Sequence, residues 1–212
     1  MDVKGFLDLR LKFIRDFYDT AAAPFNDVME KIGAGEAPYE PPYSEDEEPP
    51  YLSEWINAQS GLDVLGRACV SMLSASLKLY FKTWEVELDI TWQDGERKKL
   101  FKNGFLWGYI HAYTEVLGLN WDKCPADLDI LEQVTLARNR DQHPETISKM
   151  DVDYAPADTK KHPSLFFVTE WEQRAYQDSD LAGITWLNPS VHVSREALWQ
   201  AIDEVAKLSG WL

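Results

Sequence analysis

The feature that most restricts the fold of this chain is a helical pattern of apolar residues that starts at Tyr51 and keeps its phase for more than thirty residues. The apolar side chains recur at steps of three and four, as they do on one face of an α-helix. They are Leu52, Trp55, Ile56, Leu62, Leu65, Cys69, Met72, Leu73, Leu77, Tyr80, Phe81 and Trp84. Ser53 is a candidate N-cap for this helix. We therefore expect one long helix that forms the spine of a helical bundle.

Further helices are predicted on both sides of the spine. Residues 3–18 carry an apolar stripe at helical spacing, and Pro24 is expected to start a second, short helix after them. Residues 101–117 repeat the helical pattern and end at Gly118, a residue type that often terminates helices. The last helix is expected to start after Ser194, whose side chain suits an N-cap. Antiparallel packing of these helices would bury their apolar faces against the spine.

Other segments lack a helical pattern. Residues 34–50 are rich in proline and tyrosine and include the acidic run 45–48. We expect an extended connector there, and the alternative is a segment that docks a partner or mimics the charge of a nucleic acid. Runs 165–169, 184–187 and 191–193 contain the residue types of strands and could form a small hairpin or edge, or simply an extended cover on the helices. The predicted fold is therefore mainly α, an antiparallel helical bundle with a small β-like or extended segment before the C-terminal helix.

Length and composition favour one globular domain. A chain of 212 residues can bury a single core, and 45% hydrophobic with 13% aromatic residues excludes a disordered chain. Within the single domain 1–212 we assign residues 1–33 to an N-terminal helical extension, 34–50 to the acidic loop and 51–212 to the main bundle. No apolar run approaches the ~18 residues that a membrane span needs. We therefore expect no membrane partner. The two cysteines have no metal or redox spacing, which suggests a reducing compartment, so we expect a cytoplasmic protein.

The formal net charge of −15 restricts the kind of nucleic-acid contact that is possible. Phosphate contacts supply most of the affinity of a general nucleic-acid binder, so an acidic chain cannot coat RNA or DNA without specificity. A small positive cleft inside an acidic shell remains compatible with a nuclease, and acidity is equally typical of an interaction protein. Residues 160–162 form a minor basic spot. The densest basic cluster could guide an RNA backbone or be a solvated helix start; it consists of Arg97, Lys98, Lys99 and Lys102.

The candidate chemistry lies at the end of a helix predicted over residues 127–143, with Pro125 in its first turn. Its last part places Arg138 and Asn139 about one turn before His143, and the following proline ends the helix. A guanidinium is a permanent cation and an imidazole can exchange a proton near neutral pH, so together they suit a phosphate group. The alternative is structural: a last-turn arginine or histidine can cap free carbonyl groups.

The run Leu136-Ala-Arg-Asn-Arg-Asp-Gln-His143 resembles the signature of the HEPN superfamily. That signature is an arginine, usually followed by a polar residue such as asparagine, and then a histidine a few residues later. The resemblance extends backward to residues 74–84, similar to the long preceding helix of the superfamily, and forward to residues 193–205, similar to the closing helix of several members. It covers roughly residues 50–212, and the motif is its only specific part.

The resemblance implies an all-helical bundle, usually a homodimer, and often a metal-independent endoribonuclease of a toxin–antitoxin or phage-defence system. The catalytic residues would be Arg138, Asn139 and His143, and neither a cofactor nor a metal ion is expected. Partners would be the RNA substrate, a second copy of the chain, and an antitoxin or other protein partner. Several HEPN domains only bind, so an acidic, non-catalytic interaction or regulatory protein is the alternative function.

Overall fold

A computed structural model describes residues 1–42, 49–93, 95–102, 104–143, 150–177 and 189–212. These residues form eight α-helices and a 3₁₀ turn, Trp121–Lys123, and contain no β-strand. The mainly α fold is therefore confirmed. The helices are α1 (Val3–Ala34), α2 (Leu52–Glu87), α3 (Glu96–Phe101), α4 (Phe105–Leu117), α5 (Leu128–Gln142), α6 (Pro156–Lys161), α7 (Glu170–Gln177) and α8 (Arg195–Trp211).

The N-terminal region is one continuous helix, so the prediction that Pro24 starts a second helix was wrong. Pro24 lies inside α1, where a proline removes one backbone hydrogen bond and normally destabilises a helix by about 3 kcal/mol or more. Packing on both sides of the proline offsets that cost. Val3 lines a groove with Tyr80 of α2, and the ring of Phe25 lies against Gly61 near the start of α2. These two contacts also show that α1 runs antiparallel to α2.

The predicted spine is present as α2, which contacts α1, α5 and α8. Its N-cap is Tyr51, in the left-handed conformation with φ 62°, and the prediction that Ser53 caps the helix was wrong. At Gly66 the backbone of α2 comes so close to the Val193 carbonyl oxygen that a Cβ atom there would clash. By length and composition α2 could cross a membrane, but 61% of its apolar window is buried inside the molecule, as in a core helix.

The connection between the spine and α5 differs from the prediction at two points. Residues 96–101 form the separate helix α3, and α4 starts only at Phe105, because Gly104 adopts φ 146° and interrupts the helix. The Leu106 N–H at this start donates to a carboxylate oxygen of Glu132 in α5. Likewise α5 starts after Asp127, which accepts hydrogen bonds from two N–H groups, so Pro125 precedes the helix instead of lying in its first turn. The predicted stop at Gly118 is confirmed.

The segments before α8 cover the helices without forming strands in the described part of the chain. Residues 165–169 and 191–193 are non-helical. Among the described residues, an isolated antiparallel β-bridge joins Asp153 and Ser190. Their backbones still hydrogen-bond across the cover, since His192 N–H donates to the Phe167 carbonyl. For runs 165–169 and 191–193 the structure therefore agrees with the extended-cover alternative. Runs 184–187 and 45–48 lie outside the described residues. The prediction that Ser194 caps the last helix is confirmed. The short helices α6 and α7 were not predicted.

Candidate nucleic-acid interface

His143 lies at the C-terminal end of α5, as the C-cap residue. Its backbone N–H donates to the Arg140 carbonyl oxygen over 3.2 Å, while its side chain is exposed to solvent. Across the described residues its imidazole has neither a hydrogen bond nor an ion pair, so no helix carbonyl is seen to be capped by this ring. The imidazole is accordingly accessible to a ligand or to a second protein molecule.

The other three histidines have carboxylate neighbours in the described part of the chain. Their ring nitrogens lie 2.8–4.0 Å from an aspartate or glutamate oxygen. A carboxylate beside an imidazole occupies one of its nitrogens and fixes its orientation. His143 therefore differs from the rest by being both exposed and without such a neighbour. The three paired histidines are His111 with Glu115, His162 with Asp129 and His192 with Asp63.

Arg138 lies on α5, which packs against the spine helix α2. Its Nη1 donates to the side-chain oxygen of Asn139 over 2.9 Å, so the two motif residues are joined directly. The positive charge of Arg138 acts on Lys78 of α2: burial, and then the Arg138 guanidinium, lower the pKa of Lys78. In the described residues no carboxylate forms an ion pair with either cation. Two adjacent cations without a counterion favour an anion from outside the chain.

Two other polar residues of the motif, Arg140 and Asp141, have structural partners instead. Asp141 accepts from the Arg67 guanidinium over 3.3 Å and from the Ser71 hydroxyl over 3.2 Å, both on α2. Arg67 is buried and also donates to the Met150 carbonyl. Arg140 forms an ion pair with Asp158. These contacts fix the last turn of α5 against the bundle, so that Arg138 and His143 are presented by a rigid support.

Beside Lys78 lies an open groove of about 750 Å³ between α2, α3 and α4. Aromatic side chains line its inner part: Phe101 and Phe105 are partly exposed, and Tyr109 is buried beneath them. The ring centroids of Phe101 and Tyr109 are 4.9 Å apart in an edge-on arrangement. The basic side chains around the aromatic floor are Lys78, Lys82, Arg97 and Lys98. We call these seven residues the basic–aromatic groove.

Only one cation of the groove is neutralised within the described residues. Arg97 pairs with Glu85 over 3.3 Å, and the same carboxylate accepts hydrogen bonds from Trp92 and Tyr109. Burial and the Glu85 charge raise the pKa of Tyr109 to about 12, so the phenol keeps its proton and remains a donor. The other three cations of the groove form no ion pair in the described part of the chain, and they concentrate positive charge on an otherwise acidic protein.

Two other features of the sequence are accounted for by structural contacts. In the minor basic spot, Lys161 contacts Glu132 over 3.3 Å, and His162 is buried against Asp129. Two of the three side chains of this spot therefore belong to the packing between α5 and the end of α6. Burial raises the pKa of the Cys69 thiol to about 12, which leaves it unreactive at neutral pH. No group of side chains placed to hold a metal ion occurs among the described residues.

Lys78, Lys82 and the aromatic floor were missed as candidate site residues. A signal was present, because Lys78 and Lys82 are four residues apart on the spine helix and lie off its apolar face. From the sequence alone, nothing placed these lysines next to Arg97 and Lys98, which come after a turn. The sequence named half of the basic rim and left the other half unassigned.

Comparisons with known proteins give no assignment. No family model matches the chain, and neither a curated protein nor a solved structure is similar to it at a significant level. The function must therefore be inferred from the geometry of the site.

Proposed function

We propose that this chain is a metal-independent endoribonuclease of HEPN type. The observation that supports it best is the end of α5, where the exposed His143 follows Arg138, whose charge acts on Lys78 of α2, and where neither His143 nor Lys78 has a carboxylate partner among the described residues. That arrangement suits a phosphodiester, which needs positive charge on its oxygens and a group that transfers protons.

In the proposed reaction the ribose 2′-hydroxyl attacks the neighbouring phosphorus. A new P–O2′ bond forms, the P–O5′ bond breaks, and the products carry a 2′,3′-cyclic phosphate and a 5′-hydroxyl. His143 of one copy takes the proton from the 2′-hydroxyl, and the partner's His143, protonated, delivers one to the leaving 5′-oxygen. Arg138 and Lys78 stabilise the charge on the phosphorane oxygens, and Asn139 orients the Arg138 guanidinium through their hydrogen bond.

The chemistry of the product ends tests this reaction. Purified protein incubated with single-stranded RNA and a chelating agent is expected to give fragments that end in a 2′,3′-cyclic phosphate and a 5′-hydroxyl. A phosphatase and a 5′-kinase distinguish these ends from the 5′-phosphates that metal-dependent nucleases commonly leave. RNA that stays intact, or cleavage that stops with the chelator, would contradict the proposed mechanism.

One imidazole cannot act at the same moment as the neutral base that accepts the 2′-hydroxyl proton and as the protonated acid that donates to the leaving 5′-oxygen. The proposal therefore includes a homodimer that brings two copies of the motif together. The exposed face of α1 supports this part: Phe6, Leu9 and Phe13 are 57%, 63% and 59% exposed. Beside it, Leu79 of α2 is 47% exposed and is followed one turn later by the groove residue Lys82. Isolated apolar residues need no explanation on a protein surface, but a continuous helical stripe indicates a contact surface.

Phe13→Glu is expected to convert the dimer into a monomer without unfolding it, because the Phe13 side chain is mostly exposed. Light scattering would then give 24.4 kDa for the variant and about twice this mass for the unmodified protein. Val116→Glu is the matched control, since Val116 is 49% exposed on a different helix and should leave the dimer intact. A monomeric unmodified protein would refute the dimer.

The same apolar stripe favours one alternative, a non-catalytic interaction protein that binds a partner through α1. Its acidic surface would suit a basic regulator, such as an antitoxin in a toxin–antitoxin or phage-defence system. The two functions differ in the role of His143, because an interaction protein has no need of an exposed imidazole at the end of α5.

A further inference from the structure

We propose that the basic–aromatic groove binds an unpaired nucleotide of single-stranded RNA, with the base against Phe101 and Phe105 and the backbone phosphates along the lysines. This inference rests on the proposed function only for the position of the nucleotide relative to the cleaved bond. Binding by the groove can be tested without cleavage.

The shape and floor of the groove fit a nucleotide base. Its volume of about 750 Å³ lies within the range of small-molecule sites, and it is open along one side, so a continuous strand can enter and leave. Phe101 and Phe105 are held by the rings behind them, with Phe105 and Tyr109 centroids 5.3 Å apart. Partly exposed aromatic rings on a rigid support can stack on any base, because every base has a π-face.

The charges of the groove fit a phosphate backbone. Lys78 lies over the Phe105 ring, with its Nζ 5.5 Å from the centroid, so a cation stands directly beside the aromatic floor. Lys82 lies one helical turn further along α2, and Lys98 faces the groove from α3. None of these lysines forms an ion pair in the described residues. In a chain of net charge −15, this local excess of cations identifies an anionic ligand.

The combination of the two features favours RNA in single-stranded form. Stacking on aromatic side chains requires bases that are free of their own stack, which single strands provide and duplexes do not. An acidic peptide would use the lysines but has no base to place against Phe101 and Phe105. Their rings already carry the Arg97 guanidinium and the Lys78 ammonium on one side. A duplex would reach the lysines with its phosphates only.

In this proposal Lys78 is the residue shared by the groove and the cleavage site. This lysine lines the groove, and its pKa is affected by the Arg138 guanidinium on the neighbouring helix. A strand that places one base over Phe105 would therefore carry an adjacent phosphate toward Arg138. The groove would select unpaired RNA and position the bond that is cleaved.

The test measures binding of a fluorescently labelled RNA 12-mer by anisotropy, in a His143→Ala background so that the RNA stays intact. The double variant Lys82→Gln/Lys98→Gln is expected to bind at least ~10-fold more weakly at ~0.1 M salt, because each lost phosphate contact lowers the slope of log affinity against log salt by about 0.7. Phe101→Leu is expected to weaken binding while leaving that salt slope unchanged. Lys99→Gln is the matched control, since Lys99 is exposed on α3 but does not line the groove, and it should change binding less than ~2-fold.

Three outcomes would overturn the inference. Equal binding by the double variant and the Lys99 control would show that the groove is not used. Equal affinity for single-stranded and duplex RNA would show that base stacking does not contribute to binding. Displacement of the RNA by a polyglutamate peptide of matched charge would show that the groove docks an acidic protein segment instead. The proposed function is tested by a different result. RNA that binds in the groove but is never cut would contradict the nuclease activity. RNA cleavage with an unchanged KM in the groove variants would contradict RNA binding by the groove.

Discussion

Alanine in place of His143 is expected to lower the rate of RNA cleavage by ~10²–10⁴-fold while leaving the folded structure unchanged. The loss is large because the imidazole is the only group of the motif that can transfer a proton near neutral pH. The fold should be unaffected because the side chain is exposed and has no hydrogen bond within the described residues. Cleavage of a labelled RNA and the far-UV circular dichroism of the variant measure the two quantities.

The matched control for this experiment is His111→Ala. His111 is also an exposed histidine, but it lies on α4 beside Glu115, at 4.0 Å, and lines neither the groove nor the end of α5. Its replacement should leave cleavage within about 2-fold of the unmodified protein. If both alanine variants lose the same activity, or neither loses any, His143 has no special role and the interaction-protein alternative is favoured.

Arg138→Ala should reduce cleavage by a similar order without removing it completely. Lys78 still places a positive charge beside the phosphate when the guanidinium is gone. Arg138→Lys would retain the charge but lose the forked geometry and the Arg138–Asn139 contact in its present form. Intermediate activity of the lysine variant would therefore indicate that both the charge and the orientation of the guanidinium contribute.

The parts of the fold that could be predicted are those in which periodicity and burial agree. The spine, the last helix and the motif helix all carry apolar residues at helical spacing, and all three are packed on one face. Where the prediction failed, long-range packing had overridden a local signal. Pro24 reads as a helix start, yet Phe25 against Gly61 keeps α1 continuous. Run 165–169 reads as a strand, yet Phe167 is buried with no neighbouring strand to pair with in the described residues.

The candidate site divides in the same way. The motif residues are close in sequence, so the prediction of a single helix was enough to place them at one helix end. They are Arg138, Asn139 and His143. The groove needs residues from α2, α3 and α4 whose distance in space depends on tertiary packing. The sequence also could not show that Asp141 would accept a hydrogen bond from Arg67, nor that Lys78 would form no ion pair among the described residues. Motif spacing thus indicates chemistry, whereas the surroundings of the motif follow only from the fold.

Phe81→Ala is expected to cause the largest loss of stability, because this residue joins the spine to the helix that forms the groove floor. Phe81 is 0% exposed, and its ring stacks on Tyr109 with centroids 4.9 Å apart. It also lies against the rings of Phe105 and Tyr113, and the Tyr113 hydroxyl donates to the Phe81 carbonyl over 2.7 Å. Removing the ring leaves a cavity that these aromatic neighbours cannot refill without losing their own contacts.

The expected decrease in the free energy of unfolding is ~3–5 kcal/mol, a large fraction of the ~5–15 kcal/mol typical of a folded domain. Urea denaturation followed by tryptophan fluorescence measures it. Trp107→Ala is the control, since Trp107 is a large aromatic residue on α4 that is 53% exposed, and its loss should change stability by only about 0.5 kcal/mol. Equal losses for the two variants would contradict the central position of Phe81. Because Phe105 and Tyr109 depend on it, Phe81→Ala should also weaken RNA binding at temperatures where the variant is still folded.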